Sequence, residues 1–159
     1  MTLAPRSAEE NARLEGELID LFEQKIRFNQ VLGLKIAAAH PGDVRATFDM
    51  KPELVGHYTW GRLHGGVISA VLDAMGGLAL MVGIAERHPH DNTAQVMQRF
   101  ARMGTVDLRV DFLRQGIGTH FVATAEIMRL GGRIGSTQMR LVNQEGTLIA
   151  TAAAAYVVA

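Results

Sequence analysis

One acid, Asp73, interrupts an otherwise apolar run, HGGVISAVLDAMGGLALMVGIA, spanning residues 64–85. Hydrophobic neighbours on both sides predict that its carboxylate is buried, and an unpaired buried carboxylate is costly enough to point to function. A carboxylate in that setting can activate a water or act as a nucleophile. The run opens with His64-Gly65-Gly66. If it is a helix, its first backbone N–H groups are free and carry partial positive charge, which suits Gly65 and Gly66 to stabilising negative charge on a substrate oxygen. Glycine there lets a substrate approach the backbone closely. Asp73 lies eight residues beyond Gly65, which on a helix separates them by ~80° about the axis and ~12 Å along it. One chain cannot easily bring both to one carbonyl. Two copies with these helices antiparallel would set Asp73 of one opposite Gly65 of the other.

The remaining chemistry is sparser. His57, Tyr58 and Trp60 fall in an irregular stretch, 51–63, whose polar and aromatic density suits a loop lining a pocket. His88 and His90 flank Pro89 but have no defined third ligand, so no metal site is expected. There are no cysteines, which removes thiolate metal sites and disulfides and makes a reducing cytoplasm the simplest compartment. Arginine supplies 13 of the 16 cations, and its planar fork suits phosphate. Formal net charge is nonetheless zero and no basic run is interleaved with aromatics, which argues against nucleic acid.

These residues need elements to position them. The alternation of acids with Leu14, Leu18, Phe22 and Ile26 predicts one amphipathic helix over 8–30, with Ser7 as its N-cap. Its N-terminus carries acids where a secretory signal would be basic and then apolar. Residues 28–33 are expected to turn the chain. Strand-like runs 34–39 and 43–49 flank the turn His40-Pro41-Gly42 and predict a hairpin. The apolar run is long enough to span a bilayer, but Asp73 near its middle, three glycines and the strands that follow argue for a core helix. Residues 86–102 read as loop or short helix. From Gly104 the period changes to two: Val106, Leu108, Val110 and Phe112 are expected on one strand face, Asp107, Arg109 and Asp111 on the other. Three more strands follow, separated by Gly116-Ile117-Gly118, Gly131-Gly132 and Asn143-Gln144-Glu145-Gly146. The short links make the sheet antiparallel, and a fully apolar helix needs a curved sheet wrapped about it. The strand over 105–114 is a candidate edge for pairing with a second copy.

The stretches LVGHYTWGRLHGGVISAVLDAMGGL and MGTVDLRVDFLRQG, with the acid nine residues after the histidine of H-G-G, resemble the hotdog-fold acyl-CoA thioesterases. Within these the chain is similar to the phenylacetyl-CoA thioesterase-related group, and most to a bacterial subgroup assigned to medium- and long-chain acyl-CoA hydrolysis. The resemblance covers about 28–158. It implies an α+β hotdog fold, a long central helix wrapped by about six antiparallel strands, with residues 1–30 as an N-terminal helical extension and 31–159 as the thioesterase domain. It implies that Asp73 activates water or attacks the thioester, that Gly65 offers its N–H to the thioester oxygen, that His64 sets the turn, and that Thr105 assists the acid. Family members carry an Asn six or seven residues before the histidine; here His57 and Tyr58 stand in its place, as substrate contacts with Gly66. Arg114 and Arg133, beside glycine turns, are the expected partners of the CoA phosphates. No cofactor is implied. The expected assembly is a homodimer with active sites at the subunit interface, or a dimer of dimers. A hydratase or dehydratase of acyl thioesters, using His57 or His64 with Asp73, and a non-catalytic acyl-CoA binding protein are the alternatives.

Overall fold

The computed structural model describes residues 4–159; the first three residues of the expected N-terminal extension lie outside the described residues. Helix α1 (Ala8–Asp20) starts at Ser7, whose hydroxyl accepts from the Glu10 N–H. The N-terminal segment is not the single helix expected. A π-helical turn over Leu21–Lys25 follows, Ile26 is extended, and α2 (Arg27–Leu32) then occupies most of the stretch expected to turn the chain. The physical reason is local: the Asn29 side-chain amide donates to the Phe22 carbonyl, which the broken helix leaves free. Gly33, at φ 72°, ends α2 in the left-handed conformation that glycine adopts at no steric cost. Leu14, Leu18 and Phe22 are buried and join the main core.

Strands β1 (Lys35–His40) and β2 (Asp43–Asp49) form the expected hairpin. The irregular stretch carries a 3-10 turn, Pro52–Leu54, and a small ribbon of β3 (Val55–His57) and β4 (Arg62–Leu63). The apolar run is helix α3, Gly65–Arg87. It is long and apolar enough to cross a bilayer, yet 67% of its most apolar stretch is buried inside the protein. Its C-terminal carbonyls are closed by arginine: Arg6 donates to the carbonyls of Ala85, at 2.6 Å, and His88, at 2.6 Å. Helix α4 (Thr93–Phe100) occupies the stretch read as loop or short helix and begins with a capping box between Asn92 and Gln95.

Strands β5 (Gly104–Phe112), β6 (His120–Leu130), β7 (Ile134–Asn143) and β8 (Leu148–Val157) complete one six-stranded antiparallel sheet, ordered β1-β2-β6-β7-β8-β5. The sheet curls about α3, whose Leu72, Met75, Leu78 and Leu80 are fully buried. Gly76 permits the closest contact: a Cβ there would collide with the Tyr156 hydroxyl and Thr137 Oγ1. The two outer strands are β1 and β5. On β1 the Ile36 N–H donates to the Glu23 carboxylate at 2.8 Å, so the N-terminal segment covers part of that edge. On β5 the alternation expected from the sequence is disturbed. The pairing with β8 shifts register between Thr105 and Asp107, and Val106 (60% exposed) and Phe112 (56% exposed) are open to solvent. A bulge re-aims the residues at it, which is why a strict two-residue period fails at the start of β5.

Candidate active site

Two clefts flank β5. The first, of about 290 Å³, holds Asp73 from the middle of α3 and Thr105 from the start of β5. The Thr105 hydroxyl donates to Asp73 Oδ1 at 2.9 Å, the pairing the resemblance implied. Asp73 is half-buried in the isolated chain, not buried as expected, because the stripe of α3 that carries it faces this cleft and not the sheet. Tyr156, from the end of β8, donates its hydroxyl to the Asp73 backbone carbonyl at 2.8 Å and walls the same cleft. Burial, and then the nearby Asp73 charge, push the Tyr156 phenol above its usual range, so it remains a neutral donor. Sequence reasoning missed Tyr156: a tyrosine in a strand period reads as core, and only the curl of the sheet brings it to Asp73.

The second cleft, of about 440 Å³, lies at the other end of β5 and is lined by Gly65, Phe112, Arg62 and Arg114. His64 is the N-cap of α3, and its Nδ1 accepts from the Gly66 N–H at 2.9 Å. In that bond Nδ1 is the acceptor, which leaves Nε2 to carry the ring N–H. The bond also occupies the Gly66 donor, which the sequence had offered to substrate, and leaves the Gly65 N–H as the donor that makes no hydrogen bond among the described residues. The Phe112 ring packs against Gly65. Arg114 donates to the Leu148 carbonyl at 3.0 Å and is otherwise exposed.

The remaining expected residues are dispersed. His57 is half-buried and its ring stacks on that of Tyr58, with centroids 5.7 Å apart, while Tyr58 projects at 94% exposure. His57 Nδ1 is buried without a hydrogen-bond partner among the described residues. Arg133 is exposed in the β6–β7 turn. Ile134 beside it pairs with Val157, which also pairs with Gly104, whereas Phe112 near Arg114 pairs with Ala150. The two arginines therefore lie at opposite ends of one sheet, and one chain does not gather them into one phosphate site. No three His, Asp or Glu side chains cluster in metal-binding geometry among the described residues. Burial, and then Arg99, hold the His88 imidazole below its usual pKa.

A long central helix with a six-stranded antiparallel sheet curled about it defines a protein of the hotdog fold. The family model described as the thioesterase superfamily matches residues 61–150. The medium/long-chain acyl-CoA thioesterase YigI of Salmonella typhimurium is 36% identical over 152 residues, covering 96% of each chain, and its Escherichia coli K12 counterpart matches equally. A crystal structure of a Shewanella oneidensis protein related to the thioesterase superfamily superposes with TM-score 0.89 at 34% identity, over 97% of this chain and 100% of that one. The E. coli PaaI protein, from the phenylacetic acid degradation operon, shares the fold at TM-score 0.72 and 17% identity, over 92% of this chain and 94% of that one. The chain belongs to the thioesterase superfamily and is a hydrolase of the hotdog fold.

Proposed function

We propose that this protein hydrolyses acyl-CoA thioesters to free acid and CoA, at sites shared between two copies of the chain. The observation that carries this reading is the split of the machinery. Asp73 with Thr105 and the free Gly65 N–H line separate clefts at opposite ends of an open edge strand. Two copies joined antiparallel along β5 would place Gly65 of one against Asp73 of the other. The same two-fold carries Arg114 to the end of the sheet where Arg133 sits, which is how both could meet one nucleotide.

In the proposed reaction the thioester oxygen lies on the Gly65 N–H, where the helix dipole and a fixed donor stabilise the charge that develops on it. Asp73 either takes a proton from the attacking water or attacks the carbonyl itself, to give an anhydride that water then opens. In both routes Thr105 orients the carboxylate, the carbon–sulfur bond breaks, and CoA leaves as its thiolate. His57 and Tyr58, on the exposed β3–β4 ribbon, contact the substrate. The names of the YigI relatives, which cover nearly the whole chain, support acyl-CoA as the substrate class.

The experiment is complementation. Asp73→Asn and Gly65→Pro chains, each inactive alone, are co-expressed with different tags and the mixed dimer is assayed for thiol release from saturated acyl-CoA. Shared sites predict recovery of about a quarter of wild-type activity in a random mixture, since half the dimers are mixed and each mixed dimer regains one of two sites. No recovery in purified mixed dimers rejects the shared site. A saturated substrate also separates hydrolysis from hydration, which needs an unsaturated chain.

A further inference from the structure

Asp73 is tied to the sheet at two points, and both ties come from one rung of it. Thr105 at the start of β5 and Tyr156 near the end of β8 stand directly opposite each other in the β5–β8 pairing. The Thr105 hydroxyl donates to the Asp73 carboxylate at 2.9 Å, and the Tyr156 hydroxyl donates to the Asp73 backbone carbonyl at 2.8 Å. Directly opposite residues of an antiparallel pair point to the same face, here the one turned to α3. Thr105 reaches that face only through the shift in register between Thr105 and Asp107. In an unbroken strand side chains alternate, and Thr105 would share the outer face with Asp107 and Arg109. Val106 is the extra residue that turns it inward.

The Tyr156 bond is surplus to the needs of the helix. Inside α3 the Asp73 carbonyl already accepts from the N–H four residues on. The phenol also has another acceptor beside it: Thr137 Oγ1 is buried without a hydrogen-bond partner among the described residues. A Cβ at Gly76 would collide with both hydroxyls, so glycine there keeps the path from the phenol to the helix open.

Resting on the hydrolysis proposed above, we propose that Tyr156 is a positioning residue for that reaction. Its bond locks the turn of α3 that carries Asp73 to the rung that carries Thr105, so that carboxylate and hydroxyl meet in one geometry. Without it the turn shifts against β8, the Thr105 bond is made less of the time, and the carboxylate leaves its line to the thioester. A misplacement of ~1 Å costs up to about a hundredfold in rate. The hydroxyl bonds the backbone and not the carboxylate, so its loss falls on kcat and leaves KM within about twofold.

The experiment is a double-mutant cycle on the full-length protein, read as free thiol released from a saturated acyl-CoA. Tyr156→Phe keeps the ring and removes the donor, and kcat is expected to fall about fivefold to tenfold. Because the phenol acts through the Thr105–Asp73 geometry, the two losses do not multiply. The Thr105→Val, Tyr156→Phe double variant is expected within about twofold of Thr105→Val alone. Para-methylphenylalanine at position 156, which fills the volume of the hydroxyl without donating, stands in should the phenylalanine variant not fold. A wild-type kcat in these variants, a loss carried by KM, or losses that multiply in the double variant overturn the positioning role and leave the thioesterase reading standing. A wild-type protein that releases no thiol overturns both.

Discussion

At the start of β5 the cleft holds a carboxylate, a hydroxyl bonded to it and mostly apolar walls; at its end the cleft holds a backbone donor, an aromatic ring and two arginines. In the proposed reaction the first supplies the attacking group and the second the oxyanion donor, so each contains half of what that reaction requires. The two outer edges of the sheet differ in a related way: β1 is partly covered by Glu23 of the chain's own N-terminal segment, whereas β5 presents Val106 and Phe112 to solvent. The proposed second copy accounts for an edge left open beside two half-sites, because pairing there would remove the exposed edge and complete both sites at once.

The comparison can be broken first at the acid. Asp73→Asn keeps the size and the hydrogen bond from Thr105 but removes the charge, and kcat is expected to fall about 10²–10⁴-fold with dimer formation unchanged. Near-wild-type turnover would remove Asp73 from the reaction. At the other end, Gly65→Pro deletes one N–H with little else. Proline is favoured at the first helical position, and His64 at φ −65°, ψ 137° already has the conformation a residue before proline adopts. A fall of about 10²–10³-fold in kcat with an unchanged melting temperature is expected; a fully active variant would show that this donor is not the oxyanion site.

The open edge is tested by Val106→Asp. Charging a side chain that pairing would bury should weaken self-association about tenfold to a hundredfold in analytical ultracentrifugation. Activity should fall with dilution in parallel; a monomer of full specific activity would contradict shared sites. Thr105→Val is expected to cost about tenfold in kcat, the worth of one hydrogen bond to a charged group, with KM little changed. The smallest effect belongs to His64→Ala. It removes the cap on Gly66, lowers stability by about 1 kcal/mol, and should shift the melting temperature by about 2–4 °C.

Much of this molecule was legible before its fold was known. The apolar run around Asp73 specified a core helix because no other element satisfies its backbone while burying nearly every side chain. The two-residue periods after Gly104 specified strands, since alternation is what a half-buried strand requires. Motif and element order together pointed to the family, and with it to Asp73, Gly65 and Thr105. The segment read as loop or short helix is α4, opened by a capping box between Asn92 and Gln95.

Other features depend on contacts that periodicity does not reveal. The N-terminal pattern promised a continuous helix, and the break at Ile26 is held by the bond from the Asn29 amide to the Phe22 carbonyl. Tyr156 reached the Asp73 carbonyl only through the curl of the sheet across Gly76. His64 took the Gly66 donor for its own cap, leaving one free amide where the sequence offered two. Asp73 is half-buried, not sealed in, for the same kind of reason. Periodicity tells which residues avoid water, but which stripe of a wholly apolar helix is left open is decided by the elements that fail to cover it. Sequence by itself determined the helix and the strands and singled out the candidate reacting groups, because these follow from local pattern and residue chemistry. Only the tertiary structure decided which stripe of that helix stays open and that β5 runs between the acid and the amide with its edge unpaired, because both are set by how the sheet wraps the helix.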